Sequence, residues 1–377
     1  MTATQPILVL AASAGAGHIT AGRAVAQALR SRAPDEPVEV LDMLQFAGAL
    51  FRRLYGRGYD DLVRLLPEAW AWFHDTTDRP RSYPGHRLLH AAQNLGTRPM
   101  LDHLVRLRPK LIVNTHFLAA EIVALARRRG VLNCPQGTVL TDFEAHRLWV
   151  QEPTERYYVA TARAKEYLVV CGARATAVQI TGIPVRAGFE ARGEPRELRQ
   201  QLGLQPDVPV VLLLASAGGV RPSVEFLQQL LNSPGDFQVV AVAGRLAQLR
   251  EELAALKPPA GRAVRVLGFT EEMHRWMQAA DLVVTKPGGL TVAEALTAHL
   301  PIVIVNPLAG QEQCNSDYLL THGAAVKVNK PELLGYEVEQ LLKAPERLQA
   351  MRTAAAALSR PHAAQEIAAD VLGLLGR

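Results

Sequence analysis

The segment PGGLTVAEA, residues 287 to 295, has residue types in an order that suits phosphate binding. Its proline ends the apolar run DLVVT, and its two glycines allow a ligand to approach the backbone closely. We expect Thr291 to begin a helix, because the free N–H groups and the dipole at a helix N-terminus favour a phosphate. Glu294, one turn into that helix, could reach a ribose. The alternative is a tight strand-to-helix connection without a ligand.

A second turn of this kind lies in NPLAGQEQCNSDYLLTHG, residues 306 to 323. Gln311, Glu312 and Asn315 carry amide and carboxylate groups, which together can donate to and accept from the hydroxyls of a sugar. The alternative is a capped helix with solvated polar residues. Because KPGGLTVAEAL and PLAGQEQCN occur in succession, their combination is a specific signal for a ligand site.

A third glycine-rich turn, SAGAGHIT at residues 13 to 20, follows the N-terminal apolar run ILVLAA. A glycine turn here, with Asp42 ending the second apolar run, fits a dinucleotide-dependent oxidoreductase. Thr20, however, stands where that pattern requires its third glycine. In the other interpretation, Gly17 lets the backbone approach a cleft, and His18 presents an imidazole there.

Further polar residues follow apolar runs in the first half of the chain. Asp142 comes directly after GTVLT, so we expect it at the carboxyl edge of a sheet, where ligands bind in α/β folds. Alternatively, Asp142 caps a turn. His116 and His146 are either site residues or packed histidines, and Trp149 is either a core residue or part of the site. The spacing of these histidines and Asp142 is not that of zinc ligands, so no metal site is expected.

The elements that must position these residues alternate along the chain. Short apolar, β-branched runs separated by amphipathic stretches indicate βα units with a parallel sheet buried on both faces. Strands are predicted at 7–12, 38–42, 111–114, 137–141, 156–160 and 177–181, and then at PVVLLLASAGG (209–219), QVVAV, VRVLG, DLVVT, PIVIV and AAVKV. The fold class is therefore α/β.

The length of 377 residues predicts about two domains. LLASAG at 213–218 echoes LAASAG at 10–15, so each half opens with a strand and a glycine-rich turn, and two Rossmann-like domains are expected. We place an N-terminal domain at 1–190 and a C-terminal domain at 191–358. A C-terminal helix, 359–377, is expected to pack back on the N-terminal domain, and a cleft is expected where the two sheets face each other.

Composition excludes several classes of protein. The chain is 49% hydrophobic and 20% charged, which is ordinary for a globular protein, and its net charge of +5 permits attraction to anionic lipid or nucleotide without requiring it. Three separated cysteines predict neither disulfides nor a thiolate zinc site, and they fit a reducing cytoplasm. The N-terminus lacks the features of a signal peptide, and no run approaches the roughly 18 apolar residues of a transmembrane helix.

Residues 43–108 interrupt the alternation, because they contain no convincing strand. They carry two of the four tryptophans and many arginines. One interpretation is a helical insertion that packs its aromatic residues inward. The other is an amphipathic, basic surface that lies at a lipid interface and admits an acyl-chain substrate.

Taken together, these motifs resemble the GT-B glycosyltransferases of family 28. The closest resemblance is to the branch of the monogalactosyldiacylglycerol synthases and processive diacylglycerol glucosyltransferases, and it runs nearly end to end. Further landmarks are NTHF (114–117), TDFEAHRLWV (141–150), TGIPVRAGF (181–189) and SRPHAAQEIA (359–368). TDFxxHxxWV and TGIPV distinguish this lipid branch from the peptidoglycan enzyme of the family.

The resemblance implies roles for the residues of the second half. Gly288, Gly289, Leu290 and Thr291 would hold the diphosphate of UDP, Glu294 its ribose, and Gln311, Glu312 and Asn315 the hexose. Phe269, in VLGFTEEM, would lie beside uracil. Gly218 and Gly219 would form a loop at the cleft, although AGGVRPS is shorter here than the pattern of the family.

The resemblance also implies the reaction. An inverting transfer would move glucose or galactose from UDP-glucose or UDP-galactose to diacylglycerol, with Asp142 or His18 as the base and Gly17, His116, His146 and Trp149 on the acceptor side. No cofactor, tightly bound metal or nucleic acid is expected. The enzyme would lie peripherally on the inner face of the cell membrane, on anionic lipid. Open alternatives are another hydrophobic or lipid-linked acceptor, such as a peptidoglycan precursor, and a binding module without activity.

Overall fold

The computed structural model describes residues 5–13, 15–46, 48, 76–78, 98–215 and 220–376. The chain forms two compact units. Unit 1 contains residues 1–187, 309–311 and 360–377, and unit 2 contains residues 188–308 and 312–359. The chain thus passes from unit 1 to unit 2 within the segment 182–198, where glycine, proline and charged residues interrupt the hydrophobic periodicity.

Twelve strands are found in the described residues. In chain order they are β1 Ile7–Ala11, β2 Val38–Asp42, β3 Leu111–Asn114, β4 Gln136–Val139, β5 Arg156–Val159, β6 Val178–Ile180, β7 Val210–Leu214, β8 Gln238–Val242, β9 Val264–Leu267, β10 Leu282–Thr285, β11 Ile302–Val305 and β12 Ala325–Val328. Each overlaps one of the predicted apolar runs. β7 is shorter than the predicted run 209–219, since it ends at Leu214. Residues 216–219 lie outside the described residues.

The helices flank these strands. They are α1 Ala16–Arg32, α2 Phe117–Arg128, α3 Ala162–Val170, α4 Pro195–Gln201, α5 Val220–Asn232, α6 Ala247–Ala255, α7 Met273–Ala279, α8 Gly289–Thr297, α9 Gln311–Thr321, α10 Leu334–Leu342, α11 Pro345–Leu358 and α12 Ala363–Gly373. A further helical segment occupies residues 98–107. No helix in the described ranges is both long and apolar enough to cross a bilayer.

Unit 1 is built on a parallel sheet with the strand order β2-β1-β3-β4-β5-β6. β1 is buried along its whole length, as a strand covered on both faces must be. Leu8 and Leu10 belong to one apolar cluster, whereas Ile7 and Val9 belong to another that includes residues of α1 and α12. The order changes direction between β1 and β3, which makes the carboxyl ends of these two strands the expected ligand position.

Gly22 allows α1 to lie close to this sheet. A Cβ atom at this position would stand 3.2 Å from Val9 Cγ1 and 3.3 Å from Thr115 Oγ1, which is closer than ordinary van der Waals contact. In dinucleotide-binding folds, a glycine in this first helix permits such packing. The same physical requirement is therefore met here at position 22, although the fingerprint spacing places that glycine at position 20.

Unit 2 contains a second parallel sheet, with the order β12-β11-β10-β7-β8-β9. Counted from β7, this is the 3-2-1-4-5-6 order of doubly wound nucleotide-binding folds, with its switch point between β7 and β10. Its core includes Leu213, Phe226, Val239 and Val284. Two parallel sheets flanked by helices confirm the predicted α/β fold with two Rossmann-like domains. That the sheets face each other across a cleft stays a prediction.

Candidate functional site

The opening turn is held by backbone geometry and by Asp42. Gly15, at the N-cap of α1, has a φ of 90°, a conformation that favours glycine. The Oδ1 atom of Asp42 accepts from the backbone N–H groups of Ser13 and Leu44, each at 3.1 Å. This carboxylate therefore secures the turn. The presence of Asp42 at the end of β2, which favoured an oxidoreductase, is thus explained by its hydrogen bonds to the backbone.

Gly17 and His18 lie in the first turn of α1, and two threonines fix the imidazole of His18. Its Nδ1 atom lies 2.8 Å from the carbonyl oxygen of Thr115 and 3.0 Å from Oγ1 of Thr141. Thr115 also donates from Oγ1 to the carbonyl oxygen of His18, at 2.9 Å. Because a carbonyl oxygen only accepts, Nδ1 carries the proton and Nε2 has the lone pair. Nε2 has no hydrogen bond to any residue in the described ranges.

His116 is the neighbour of His18 and adopts the opposite tautomer. Its Nδ1 atom accepts the N–H of Leu118 at 3.1 Å, which caps α2, so Nε2 carries the proton. The two rings are T-shaped, with centroids 4.6 Å apart. Burial lowers the pKa of His18 from 6.5 to about 4. Burial, and then the nearby His18, lower the pKa of His116 well below 6.5. Both imidazoles are thus neutral at pH 7.

Asp142 directly follows Thr141, so it lies beside the group that holds His18 at the carboxyl end of β4. Its side chain is partly exposed. His146 caps the 3-10 helix Arg147–Trp149 by accepting the N–H of Leu148 at 3.1 Å, and its Nε2 lies 3.7 Å from Oδ1 of Asp78. His146 therefore has structural partners on both ring nitrogens.

Trp149 is a core residue that borders this site. It is 4% exposed and packs with Leu140, Tyr157 and Leu168. Its ring centroid lies 6.4 Å from that of His18. Contact between Trp149 and an acceptor stays a prediction. Among the residues that the structure describes, no three His, Cys, Asp or Glu side chains are grouped so as to hold a metal ion.

In unit 2, the PGG turn opens α8 at the switch point of the sheet. The helix begins at Gly289 and not at Thr291, the start predicted from the sequence. Glycines, which have no side chain to signal a cap, occupy both the N-cap position and the first helical position. Gly288 is the N-cap, with no side-chain cap, and a Cβ atom there would meet nothing within 4 Å. The space beside the first N–H groups of α8 is therefore open, as an anion site requires. Leu290 and Thr291 are partly exposed in this first turn.

The predicted ribose and hexose residues differ in exposure. Glu294 is 3% exposed and Asn315 is fully buried. The amide of Asn315 donates to the carbonyl oxygen of Pro287 at 3.0 Å, so in this structure Asn315 supports the PGG turn. Gln311 and Glu312 begin α9 and are partly exposed. Contacts of these residues with a donor stay predictions.

Glu312 forms an ion pair that joins α9 to the end of β10. Its Oε1 atom lies 3.3 Å from Nζ of Lys286, and its Oε2 atom accepts the N–H of Leu308 at 2.8 Å. Lys286 is 8% exposed and directly precedes the PGG turn.

Phe269 is an exposed aromatic residue near the carboxyl end of β9. It is 52% exposed, and the guanidinium carbon of Arg245 lies 4.0 Å from its ring centroid. Such an arrangement is a cation–π contact. Phe269 and Arg245 follow neighbouring strands, so an aromatic base could stack at this edge of the sheet. Gly218 and Gly219 lie outside the described residues.

Four residues of the site were not singled out from the sequence: Thr115, Thr141, Lys286 and Arg245. Each is a polar residue within three positions of the end of a predicted strand, which was the available signal. Their partners, however, are distant along the chain. Thr141 and His18, for example, are separated by 123 positions.

Comparisons with known proteins find matches to both halves of the chain. The family description "Monogalactosyldiacylglycerol (MGDG) synthase" matches residues 18–185, and "Glycosyltransferase family 28 C-terminal domain" matches residues 221–367. Among curated relatives, the chain is 30% identical over 373 residues to a processive diacylglycerol beta-glucosyltransferase of Bacillus licheniformis, covering 99% of this chain and 96% of that protein. It is 28% identical over 372 residues to one of Bacillus pumilus, with the same coverage.

Solved structures share the fold. Acinetobacter baumannii MurG superposes with a TM-score of 0.61 and 18% identity, covering 98% of this chain and 100% of that protein. Anabaena Alr3699/HepE, solved in complex with UDP-glucose, gives a TM-score of 0.58 and 16% identity, covering 98% of this chain and 99% of that one. At these identities the likeness extends to the fold alone.

Proposed function

This chain belongs to the family of the processive diacylglycerol β-glucosyltransferases, within glycosyltransferase family 28, and on that premise we propose that it transfers glucose from UDP-glucose to the free hydroxyl of diacylglycerol. The observation that carries the proposal, beyond the family, is the imidazole of His18. It is neutral and fixed, and it presents a lone pair at the switch point of a Rossmann-like sheet. A hydroxyl acceptor needs such a group, because its proton must leave as the new bond forms.

We propose that Nε2 of His18 accepts the proton of the diacylglycerol hydroxyl. Thr115 and Thr141 hold the Nδ1–H group, so the ring cannot turn without losing two hydrogen bonds. The imidazolium formed in this step would keep both contacts. Burial has the larger effect and lowers the pKa of His18, whereas the hydrogen bond to Thr115 raises it. Asp142, beside Thr141, is the second candidate for the base. Its carboxylate would then take the same proton.

In unit 2, the open N-terminus of α8 would bind the diphosphate of the donor. The N–H groups beyond Gly288 and the dipole of α8 favour negative charge, and this charge increases as UDP departs. Phe269 would carry the uracil, Glu294 would accept from the ribose, and Gln311 and Glu312 would contact the hexose. No tightly bound metal or cofactor is required by this scheme.

The stereochemistry follows from a single displacement. The acceptor oxygen forms a bond to C1 of the hexose while the bond from C1 to the phosphate oxygen breaks. The bonding pair leaves with UDP, and the acceptor proton stays on the base. Because UDP-glucose has the α configuration, one displacement gives the β-linked glycolipid. The relatives reported above are named beta-glucosyltransferases, which supports inversion.

Glucose is favoured over galactose by the names of these relatives, whereas the family description of the first half names a galactolipid synthase. We also propose that the protein works at a membrane surface, in the cytoplasm and on the inner leaflet, because diacylglycerol resides in bilayers. The net charge of +5 would favour anionic lipid there.

The test is an assay of purified protein with labelled UDP-glucose or UDP-galactose and diacylglycerol vesicles, with and without anionic lipid. We expect a lipid-soluble β-glucoside from UDP-glucose and little product from UDP-galactose. The variants Asp142→Asn and His18→Ala, run in parallel, identify the base by the larger loss of turnover. If neither donor gives a lipid-soluble product, diacylglycerol is not the acceptor, and hydrophobic alcohols and peptidoglycan precursors should be assayed instead.

A further inference from the structure

We propose that Lys286 is a positioning residue, which orients Glu312 toward the hexose of the donor. This inference rests on the proposed function and adds a residue to it. The ion pair of Lys286 and Glu312 lies entirely within unit 2, between the end of β10 and the first turn of α9. It therefore connects the turn proposed for the diphosphate with the helix proposed for the hexose.

The carboxylate of Glu312 is fixed on both oxygens. Oε1 pairs with Nζ of Lys286 at 3.3 Å, and Oε2 accepts the N–H of Leu308 at 2.8 Å. The side chains of Lys286 and Glu312 are 9% and 15% exposed, so the pair is largely removed from water. Each oxygen still has a lone pair that can accept from a sugar hydroxyl. Lys286 and the N–H of Leu308 together set the direction of these lone pairs.

A second contact between the PGG turn and α9 is the hydrogen bond from Asn315 to Pro287. Asn315 is fully buried and follows Glu312 by three residues, so the two side chains leave the same side of α9. Their partners, Lys286 and Pro287, are consecutive. Two adjacent residues before α8 thus hold two residues on one face of α9, which fixes the separation of the two ligand-binding turns.

Stability alone does not explain a buried pair of this kind. Removing two charges from water is costly, and apolar residues of similar volume often stabilise a protein as well or better. The position of the pair beside the proposed donor site explains it, because an uncompensated carboxylate near the diphosphate of the donor would repel that diphosphate. Lys286 cancels that charge and leaves Glu312 able to accept from hydroxyls beside an anionic ligand.

The experiment measures the Kd of UDP-glucose and of UDP by calorimetry for the wild-type protein, Lys286→Met and Glu312→Gln. We expect Glu312→Gln to weaken UDP-glucose binding by about tenfold or more, as for loss of a hydrogen bond to a charged group, and to leave the Kd of UDP within about twofold. Lys286→Met should weaken the binding of both ligands, because it leaves the carboxylate of Glu312 uncompensated near the diphosphate. Lys343→Met is the matched control, since the side chain of Lys343 is 64% exposed and it pairs with Glu339, whose side chain is 9% exposed, at the end of α10. Its affinities for both ligands should equal those of the wild type.

Lys286→Met leaves Glu312 without its buried partner and can fail to fold for that reason. The double variant Lys286→Met/Glu312→Gln removes both charges, and it should fold and show the same selective loss of UDP-glucose. In the double variant, an equal loss of UDP and UDP-glucose would assign Lys286 to the diphosphate and overturn the inference, as would unchanged affinity for both. A wild-type protein that binds neither ligand would overturn the proposed function itself.

Discussion

The Nδ1 atom of His18 donates to the carbonyl oxygen of Thr115 across 97 positions of sequence, at a distance of 2.8 Å. The contact joins the first turn of α1 to the residue that follows β3, and these two elements meet at the switch point of the first sheet. It fixes both the tautomer and the orientation of the imidazole.

His18→Ala is expected to lower turnover by about 10²- to 10⁴-fold, the usual contribution of a general base. The Kd of UDP should change by less than about twofold, because the PGG turn proposed for the diphosphate lies in unit 2, whereas His18 lies in unit 1. Steady-state kinetics with UDP-glucose and calorimetry with UDP measure the two effects separately. Weaker UDP binding with normal turnover would return the turn SAGAGHIT to a nucleotide-binding role.

Thr141→Val is expected to lower turnover by about fivefold, which corresponds to about 1 kcal/mol for one lost hydrogen bond. Valine keeps the shape of threonine but removes the oxygen that lies 3.0 Å from Nδ1 of His18. Thr141→Ser keeps that oxygen and should retain turnover close to the wild type. If serine and valine have equal effects, the hydroxyl does not position the imidazole.

The stability of the protein should fall as the pH drops from about 6.5 to about 4. Burial lowers the pKa of His18 from 6.5 to about 4, so within this window the unfolded chain binds a proton that the folded protein does not. His18→Ala removes this contribution, while that of His116 remains. The Tm of the variant, measured between about pH 7.5 and 5, should therefore decrease less steeply than that of the wild type. Parallel curves would contradict the lowered pKa.

Phe269→Ala is expected to weaken UDP binding by about 1–3 kcal/mol, the range for loss of an aromatic residue that stacks on a base. Phe269→Tyr should bind UDP normally, since it keeps the ring that Arg245 covers. Leu333→Ala, at another exposed apolar residue of the same unit, serves as the control. Equal affinity of wild type and Phe269→Ala would place the base elsewhere.

Asp370→Ala is expected to destabilise the protein by about 1–3 kcal/mol in urea denaturation. Oδ2 of Asp370, on α12, accepts from the hydroxyl of Tyr158 at 2.8 Å and from Nε of Arg156 at 3.0 Å. Burial, and then the Asp370 carboxylate, raise the pKa of Tyr158, so its phenol stays protonated and donates. The variant leaves this buried hydroxyl without an acceptor.

Two controls separate this effect from a general loss of charge. Tyr158→Phe removes the stranded hydroxyl, so Tyr158→Phe/Asp370→Ala should be less destabilised than the sum of the single variants. Glu166→Ala, at an exposed position of α3, should change stability by less than about 0.5 kcal/mol. Additive single effects would mean that the two side chains do not interact.

Much of the fold could be predicted from local pattern. All twelve strands coincide with short apolar runs, because a strand buried on both faces must be apolar along its length. The predicted start of α8, Thr291, was wrong by two residues. Gly288 and Gly289 occupy the positions where a polar capping side chain is the usual signal of a helix start. The lipid-facing role of 43–108 stays a prediction, because most of that segment lies outside the described residues.

The sequence by itself determined which turns carry reactive groups: SAGAGHIT, TDFEAH, PGGLTVAEA and GQEQCN each follow a strand, and the carboxyl ends of parallel strands meet at one edge of a sheet. Only the tertiary structure decided what those groups can do. Strand order brings Thr115 and Thr141 to His18, which sets its tautomer, and places Lys286 against Glu312. Hydrophobic periodicity indicates whether a residue is buried or exposed. Hydrogen bonds and ion pairs depend on atoms that only folding brings within about 3 Å of each other.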